Sequence, residues 1–311
     1  MSKYKKRKKR HVLRNALIIL IILFALTLIF ADPKDAETPV KPPSAENPAF
    51  EVYFLDVGQG DCALVLCDGK SMLIDGGDSQ QSSKLYSFLE SHGIKHLDYI
   101  VASHADADHV GGLSGALNYA TADTALCTVT EHDTKSFSDF VRYLKMQGVS
   151  ITVPDAGSTY SLGSAAFTVV GPEKGTQFSD NTSLIIRVSY GETSFLFTGD
   201  AEYEDEQSAI ASGGELKSTV LKVGHHGSSS SSSYDFVRAV SPEYAVISVA
   251  ADNTYYHPTQ KTLNRLRDVG AAVYRTDLCG DIHCVSDGKT VFFDTSRTSD
   301  VDPFTPGPLL T

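Results

Sequence analysis

In the stretch IVASHADADHVGG an apolar run leads straight into His104, Asp106, Asp108 and His109, four side chains able to bind a metal within six residues. Two imidazoles and two carboxylates suit one or two divalent ions. In a strand, alternate residues point to opposite faces, so these groups converge only where the backbone curls, which the glycines Gly111 and Gly112 permit. Asp also caps helices and occupies solvated turns. Such a turn has no need of His on both flanks.

Three more segments place a ligand-type residue just after an apolar run. FLFTGD ends on Asp200, LKVGHHGS carries His225 and His226, and MLIDGG carries Asp75. Asp75 is suited to a supporting role, accepting hydrogen bonds from a ligand histidine or from the Gly76 and Gly77 amides. Taken singly each is weak, because Gly-Asp after a strand is a common turn and a histidine pair often lies on a surface. Four strand-end clusters of the same type argue together for one metal centre. Further on, DNTYYHPTQKTL places His257 before Pro258, a residue suited to a first helical position. An imidazole there can hold substrate or protonate a leaving group, or simply bond to backbone at a helix end. The run Ser228–Ser233 can cap the following helix, and Gly227 with Ser228 can contact an anion.

These clusters need rigid elements to bring them together. Apolar β-branched runs predict strands at 50–57, 62–67, 71–75, 98–103, 124–130, 165–170, 183–190, 193–199, 218–223, 244–249 and 290–294. Helical patterns fall at 82–92, 109–119, 136–147, 202–211, 234–240 and 258–269. Hairpins open each half and strand-helix-strand units follow, a grammar that predicts two sheets face to face with helices outside, an α/β sandwich. The folded domain is expected over 49–294, followed by a flexible tail, 295–311, with no periodic apolar face.

At the other end, eight of the 27 Lys and Arg residues lie within the first fourteen positions, ahead of the uncharged segment 16–31. That layout predicts a membrane anchor or a signal segment with the rest of the chain outside the cell. Ile29, two residues before Ala31, departs from the small-residue cleavage pattern and favours a retained anchor. Residues 32–48, rich in Pro and charge, read as an extended linker. Beyond residue 14, 19 basic residues face 38 acidic ones, a balance that disfavours a protein coating nucleic acid unless cations or a local patch reverse the field. Cys62, Cys67, Cys127, Cys279 and Cys284 are too few for a disulfide framework and show no zinc spacing. Cys279 with Cys284, or Cys62 with Cys67, could close a disulfide in an oxidising exterior or remain thiols.

The combination FLDVGQGDC, LIDGG, SHADADHVGG, DNTSL, FLFTGD and KVGHHGS resembles the metallo-β-lactamase-fold hydrolases, most closely the branch found as the hydrolase domain of the competence DNA-uptake protein ComEC. The match runs in order from about Phe50 to about Phe293. The resemblance implies a four-layered αβ/βα sandwich with a metal centre on one edge. It equates the family's His-x-His-x-Asp-His with His104, Asp106, Asp108 and His109, its bridging carboxylate with Asp200, and its last histidine with His225 or His226. Two departures stand out. Asp106 replaces a histidine, and Asp180 or Asn181 stands where the wider family has another. Both shift the first metal site toward oxygen ligands, which admits Mn²⁺ beside Zn²⁺. The branch also has an Asn followed by His-Pro beside the site, matching His257, and a loop like that of Gln59 and Asp61 near the metal edge. His283 is a ligand by type, but a strand position suits it better.

The expected activity is extracytoplasmic, metal-dependent hydrolysis of a phosphodiester such as DNA, with Asp108 and His257 as catalytic groups and one or two ions as cofactors. The acidic body calls for a local basic strip, for which Lys217, Lys222, Arg238, Lys261, Arg265 and Arg267 are candidates. A small envelope phosphodiester such as a phosphorylcholine ester fits the charge without one. A binding module that kept the fold and lost turnover is the reading from another class. A β-lactamase is disfavoured by the Asp at 106.

Overall fold

A computed structural model describes residues 49–172 and 182–308. The segment 16–31, the linker 32–48 and the residues Asp180 and Asn181 lie outside these. Among the described residues no helix is long and apolar enough to cross a membrane.

The first sheet contains β1 (Phe50–Phe54), β2 (Ala63–Cys67), β3 (Lys70–Ile74), β4 (His96–Val101), β5 (Thr121–Leu126), β6 (Ile151–Thr152), β14 (Ile282–Ser286) and β15 (Val291–Thr295), in the spatial order β15-β14-β1-β2-β3-β4-β5-β6. The second contains β7 (Thr159–Leu162), β8 (Ala165–Gly171), β9 (Ile185–Tyr190), β10 (Thr193–Phe197), β11 (Val220–Lys222), β12 (Tyr244–Ile247) and β13 (Ala272–Arg275), in the order β13-β12-β11-β10-β9-β8-β7. The sequence pattern missed β6, β7, β13 and β14. β6 is two residues long, and TYSL and IHCVS alternate apolar with polar groups instead of forming an apolar run.

Period-two alternation explains how the sheets stack. Phe50, Val52 and Phe54 of β1 are buried and join Phe167, Val188, Phe195 and Phe197 in the core between the sheets. Helices cover the outer faces, with apolar residues at helical spacing. On the first sheet these are α1 (Ser82–Ser91), with Leu85 and Leu89 inward, α3 (Leu113–Tyr119), and α4 (Lys135–Met146), with Phe137, Phe140 and Leu144 inward. On the second, α6 (Tyr234–Val240) and α7 (Gln260–Asp268) pack Phe236, Val240, Leu263 and Leu266 against the sheet, and α5 (Tyr203–Ala211) adds Ala209. The result is helix, sheet, sheet, helix. Thr134, Ser233 and Thr259 cap α4, α6 and α7, each accepting from an amide three residues on. Thr259, not Pro258, therefore opens the helix expected from residue 258.

The helix expected over 109–119 is broken into α2 (Ala107–Val110) and α3, and the reason differs from the curl read from the sequence. Gly111 and Gly112 have ordinary right-handed backbone. What needs a missing side chain is proximity: a Cβ on Gly112 would collide with the Gly76 carbonyl oxygen. The two loops are instead stitched together, Gly112 N–H to Gly77 O at 2.9 Å and Gly76 N–H to His109 O at 2.6 Å.

The expected flexible tail is docked as far as Gly307. Arg297 pairs with Asp56 at 2.9 Å, the Gly307 amide donates to Pro258 O at 3.0 Å, and the fully buried Arg275 donates to the carbonyls of Pro303 and Thr305. Proline-rich chain offers carbonyls without competing amides, and a buried guanidinium collects them.

Candidate metal centre

β3 runs parallel to β4, and β10, β11 and β12 run parallel to one another, so these strands end on one edge, where Asp75, the 103–109 loop, Asp200, the His225–His226 turn and the 250–258 loop emerge. Asp108, His109, Asp200 and His226 each offer a ligand atom, and these atoms all lie within 4.8 Å of one another. His109 Nε2 is 3.2 Å from Asp200 Oδ1, which is 3.6 Å from His226 Nε2, and His226 Nε2 is 3.5 Å from Asp108 Oδ2.

The rings are aimed from behind. Asp75 Oδ2 lies 2.9 Å from His109 Nδ1, and its Oδ1 accepts the Ser103 amide at 2.7 Å. A carboxylate only accepts, so His109 Nδ1 carries the proton and Nε2 faces the pocket. Of the two contacts expected of Asp75, the one with a histidine is present, whereas the Gly76 and Gly77 amides donate elsewhere. The Ser248 carbonyl, 3.0 Å from His226 Nδ1, sets that ring in the same way. Both residues of the His225–His226 turn are left-handed, with φ of 48° and 54°, a conformation uncommon outside glycine that the surrounding packing must enforce.

Electrostatics follow from crowding carboxylates out of water. Burial alone would raise Asp200, but His109 and His226 hold it well below the usual carboxylate range. Burial disfavours the His226 cation, yet Asp200, Asp108 and Asp61 push it up to about 9, and Asp200 and Asp75 raise His109 well above its ordinary value. This surplus of negative charge attracts a cation. His109 Nε2, Asp200 Oδ1 and His226 Nε2 are buried without a hydrogen-bond partner, an arrangement that is costly unless something binds them. The donor set, two imidazoles and two carboxylates, fits a divalent metal.

The remaining expected residues fall around this group. His104 is buried, its Nδ1 3.0 Å from Ser103 Oγ and 3.3 Å from Ser183 Oγ, and its Nε2 is 3.6 Å from Asp106 Oδ2. Asp106 stands at the solvent side, its side chain 44% exposed. His225 Nδ1 is 3.1 Å from Glu202 and its Nε2 3.7 Å from Asp200 Oδ2, so of the pair it is His226 that enters the buried group. His257 is buried with Nδ1 unpartnered, and burial, then His225 and His226, lower it to about 4. The ring is therefore neutral at pH 7. Ser228 Oγ bonds Ser230 within the serine turn, at 2.9 Å.

One charged residue read otherwise from the sequence belongs behind the centre, beside Asp61 of the VGQGDC loop. Lys222, expected on a surface strip, is buried with its ammonium 2.7 Å from Asp61, whose other oxygen is 3.4 Å from His226 Nδ1. The strip is broken further because Arg265 holds the Ser231 and Ser232 carbonyls at 2.7 and 3.0 Å. The VGQGDC motif was the available signal for Asp61, and Gln59 beside it braces the Ala250 amide at 3.3 Å. His283 stays in β14, 2.7 Å from Glu51. All five cysteines are free thiols. Cys62 and Cys67 lie on opposite faces of the sheet, one in the helix-covered core and one between the sheets.

A family model described as the metallo-beta-lactamase superfamily matches residues 55–251. The ComE operon protein 3 of Bacillus subtilis (strain 168) is 32% identical over 251 residues, 75% of this chain and 32% of that protein. Competence protein ComA of Neisseria gonorrhoeae is 34% identical over 238 residues, 76% of this chain and 32% of that one. Recombination protein 2 of Haemophilus influenzae is 30% identical over 283 residues, 89% and 32%. The chain thus spans about a third of the length of these curated relatives. Among solved structures, YhfI of Bacillus subtilis, a metallo-beta-lactamase fold protein, superposes with a TM-score of 0.51 at 12% identity over 79% of this chain and all of that one. CmlA of Streptomyces venezuelae, a diiron beta-hydroxylase, gives 0.51 at 15% identity over 77% and 55%. Both likenesses concern the fold. A two-sheet sandwich with converging ligand atoms at its strand ends, matched by the family model over most of its length, makes this chain a member of the metallo-beta-lactamase superfamily.

Proposed function

We propose that this protein is an extracytoplasmic, metal-dependent phosphodiesterase or nuclease, held at the membrane through residues 16–31. The observation that carries the reading is the group of buried, unpartnered ligand atoms on His109, Asp200 and His226. Asp108, His109, Asp200 and His226 would hold one divalent ion, and His104 with Asp106 part of a second site; Zn²⁺ and Mn²⁺ both suit these donors. A cation bound there activates water and neutralises charge on phosphoryl oxygens. Asp75 and Ser248 keep the rings aimed. Asp108, held below the usual carboxylate range by His226 and His109 despite burial, is ionised and partly open to solvent, so the carboxylate oxygen not engaged by the ion can take a proton from an attacking water. His257, neutral at pH 7, orients a substrate oxygen. The competence and recombination proteins among the relatives support a nucleic-acid substrate.

The test is turnover of bis-p-nitrophenyl phosphate and of linear and circular DNA by the full-length protein with Zn²⁺ or Mn²⁺, alongside metal content. Metal-dependent cleavage that vanishes in Asp200→Ala is expected. Bound metal with no turnover under either ion would sustain the binding module. The acidic surplus beyond residue 14 favours a second reading, an envelope phosphodiester with a small cationic headgroup such as phosphorylcholine.

A further inference from the structure

The 250–258 loop, which follows β12 at the metal edge, is organised around one buried side chain. Asn253 Nδ2 donates to the carbonyls of Ala250 and His257, both at 2.8 Å, while its Oδ1 accepts the Tyr255 and His257 amides at 3.2 and 2.9 Å. Gln59 ties the start of the loop and Gly307 its end. A loop held this firmly nevertheless displays two large rings to water: Tyr255 is 65% exposed and Tyr256 69%. Tyr256 takes a φ of 60°, a strained choice for a bulky side chain. The Tyr255 ring stacks on His257, centroids 5.8 Å apart at 26°, and His257 meets His225 edge to face at 5.6 Å. His225 Nε2 in turn is 3.7 Å from Asp200. A line of rings therefore runs from the exposed Tyr255 to the carboxylate at the centre of the metal group, with Tyr256 next to it in the chain.

Resting on the phosphodiester reading, we infer that Tyr255 and Tyr256 form a stacking platform for a nucleobase next to the scissile phosphate of a single-stranded nucleic acid. A ring backed on one side by His257 offers its free face to another flat ring. Stacking suits any base, since each has a π-face, and its energy comes from the ring contact, not from surface charge, so it adds affinity on an acidic body. A quaternary ammonium would instead call for several rings converging around it.

The experiment uses the full-length protein and short oligonucleotides that carry either normal bases or abasic sites through the cleaved region. Binding is read without added metal by competition of each strand against an oligonucleotide probe carrying 2-aminopurine, whose quenching reports stacking, and cleavage with Mn²⁺ or Zn²⁺. Wild type is expected to favour the base-bearing strand by roughly tenfold, Tyr255→Ala/Tyr256→Ala to lose that preference, and Tyr255→Phe to keep it. Equal binding of base-bearing and abasic strands by wild type, an unchanged ratio in the double variant, or displacement of the probe by choline overturns the platform. Stacking that persists in a protein that cleaves neither strand overturns the phosphodiesterase reading and leaves the platform standing.

Discussion

The two sides of the metal edge are built differently. On one side, Asp108, His109, Asp200 and His226 converge, and two of the rings are aimed by hydrogen bonds from behind. On the other, His104 is buried against two serine hydroxyls and its neighbour Asp106 stands 44% exposed. A site whose ligands are held in place loses little freedom on binding an ion, whereas an exposed carboxylate must be ordered at that moment. The difference teaches that ligand type alone does not rank two candidate metal positions. The closed side should fill first and more tightly.

The strongest way to break this comparison is to exchange ligand losses between the sides. His226→Ala should abolish tight binding of the first ion, exceeding the roughly 10- to 100-fold loss expected from a supporting residue. His104→Ala should leave the first ion bound and weaken only a second. Calorimetric titration of Mn²⁺ into the metal-free protein separates the two, and equal losses would end the distinction. Next in size is the pair behind the closed side. Lys222→Met leaves Asp61 buried without its cation and should cost about 3–5 kcal/mol in urea unfolding, much of it recovered in Lys222→Met/Asp61→Asn. Similar midpoints for the single and double variants would mean that the pair does not act as a unit.

Asp75→Asn sharpens the same point at smaller scale. It keeps the shape but can present an amide N–H to His109 Nδ1, disturbing the tautomer, and should weaken the first ion by about 10- to 100-fold. Unchanged affinity would remove Asp75 from the aiming role. The smallest effect belongs to the open side: Asp106→His adds an imidazole there and should shift the second ion's preference from Mn²⁺ toward Zn²⁺, read by competition between the two metals.

Much of this was legible in the residues. The strand-end placement of Asp75, Asp200 and the 104–109 cluster follows from apolar runs that stop at turn residues, a pattern confined to a few neighbouring positions. The helices capped by Thr134 and Ser233 were legible for the same reason. Lys222 was not, because a lysine in a short apolar run gives no sign of whether an acid 161 positions earlier will meet it. The docking of 295–307 escaped notice because its partner, Arg275, lies on β13, a strand the pattern did not show.

By itself the amino-acid sequence determined which residue types end the strands, and with them the chemistry on offer: imidazole and carboxylate in a family of metal-centred sandwiches. Only the tertiary structure decided that His226 enters the buried group while His225 turns to Glu202, that Asp61 and Lys222 neutralise each other behind it, and that Tyr255 lines up with His257. Periodicity and turn chemistry act between near neighbours, whereas these choices depend on which distant segments share a buried, water-poor space, where an unpaired charge is too costly to leave alone.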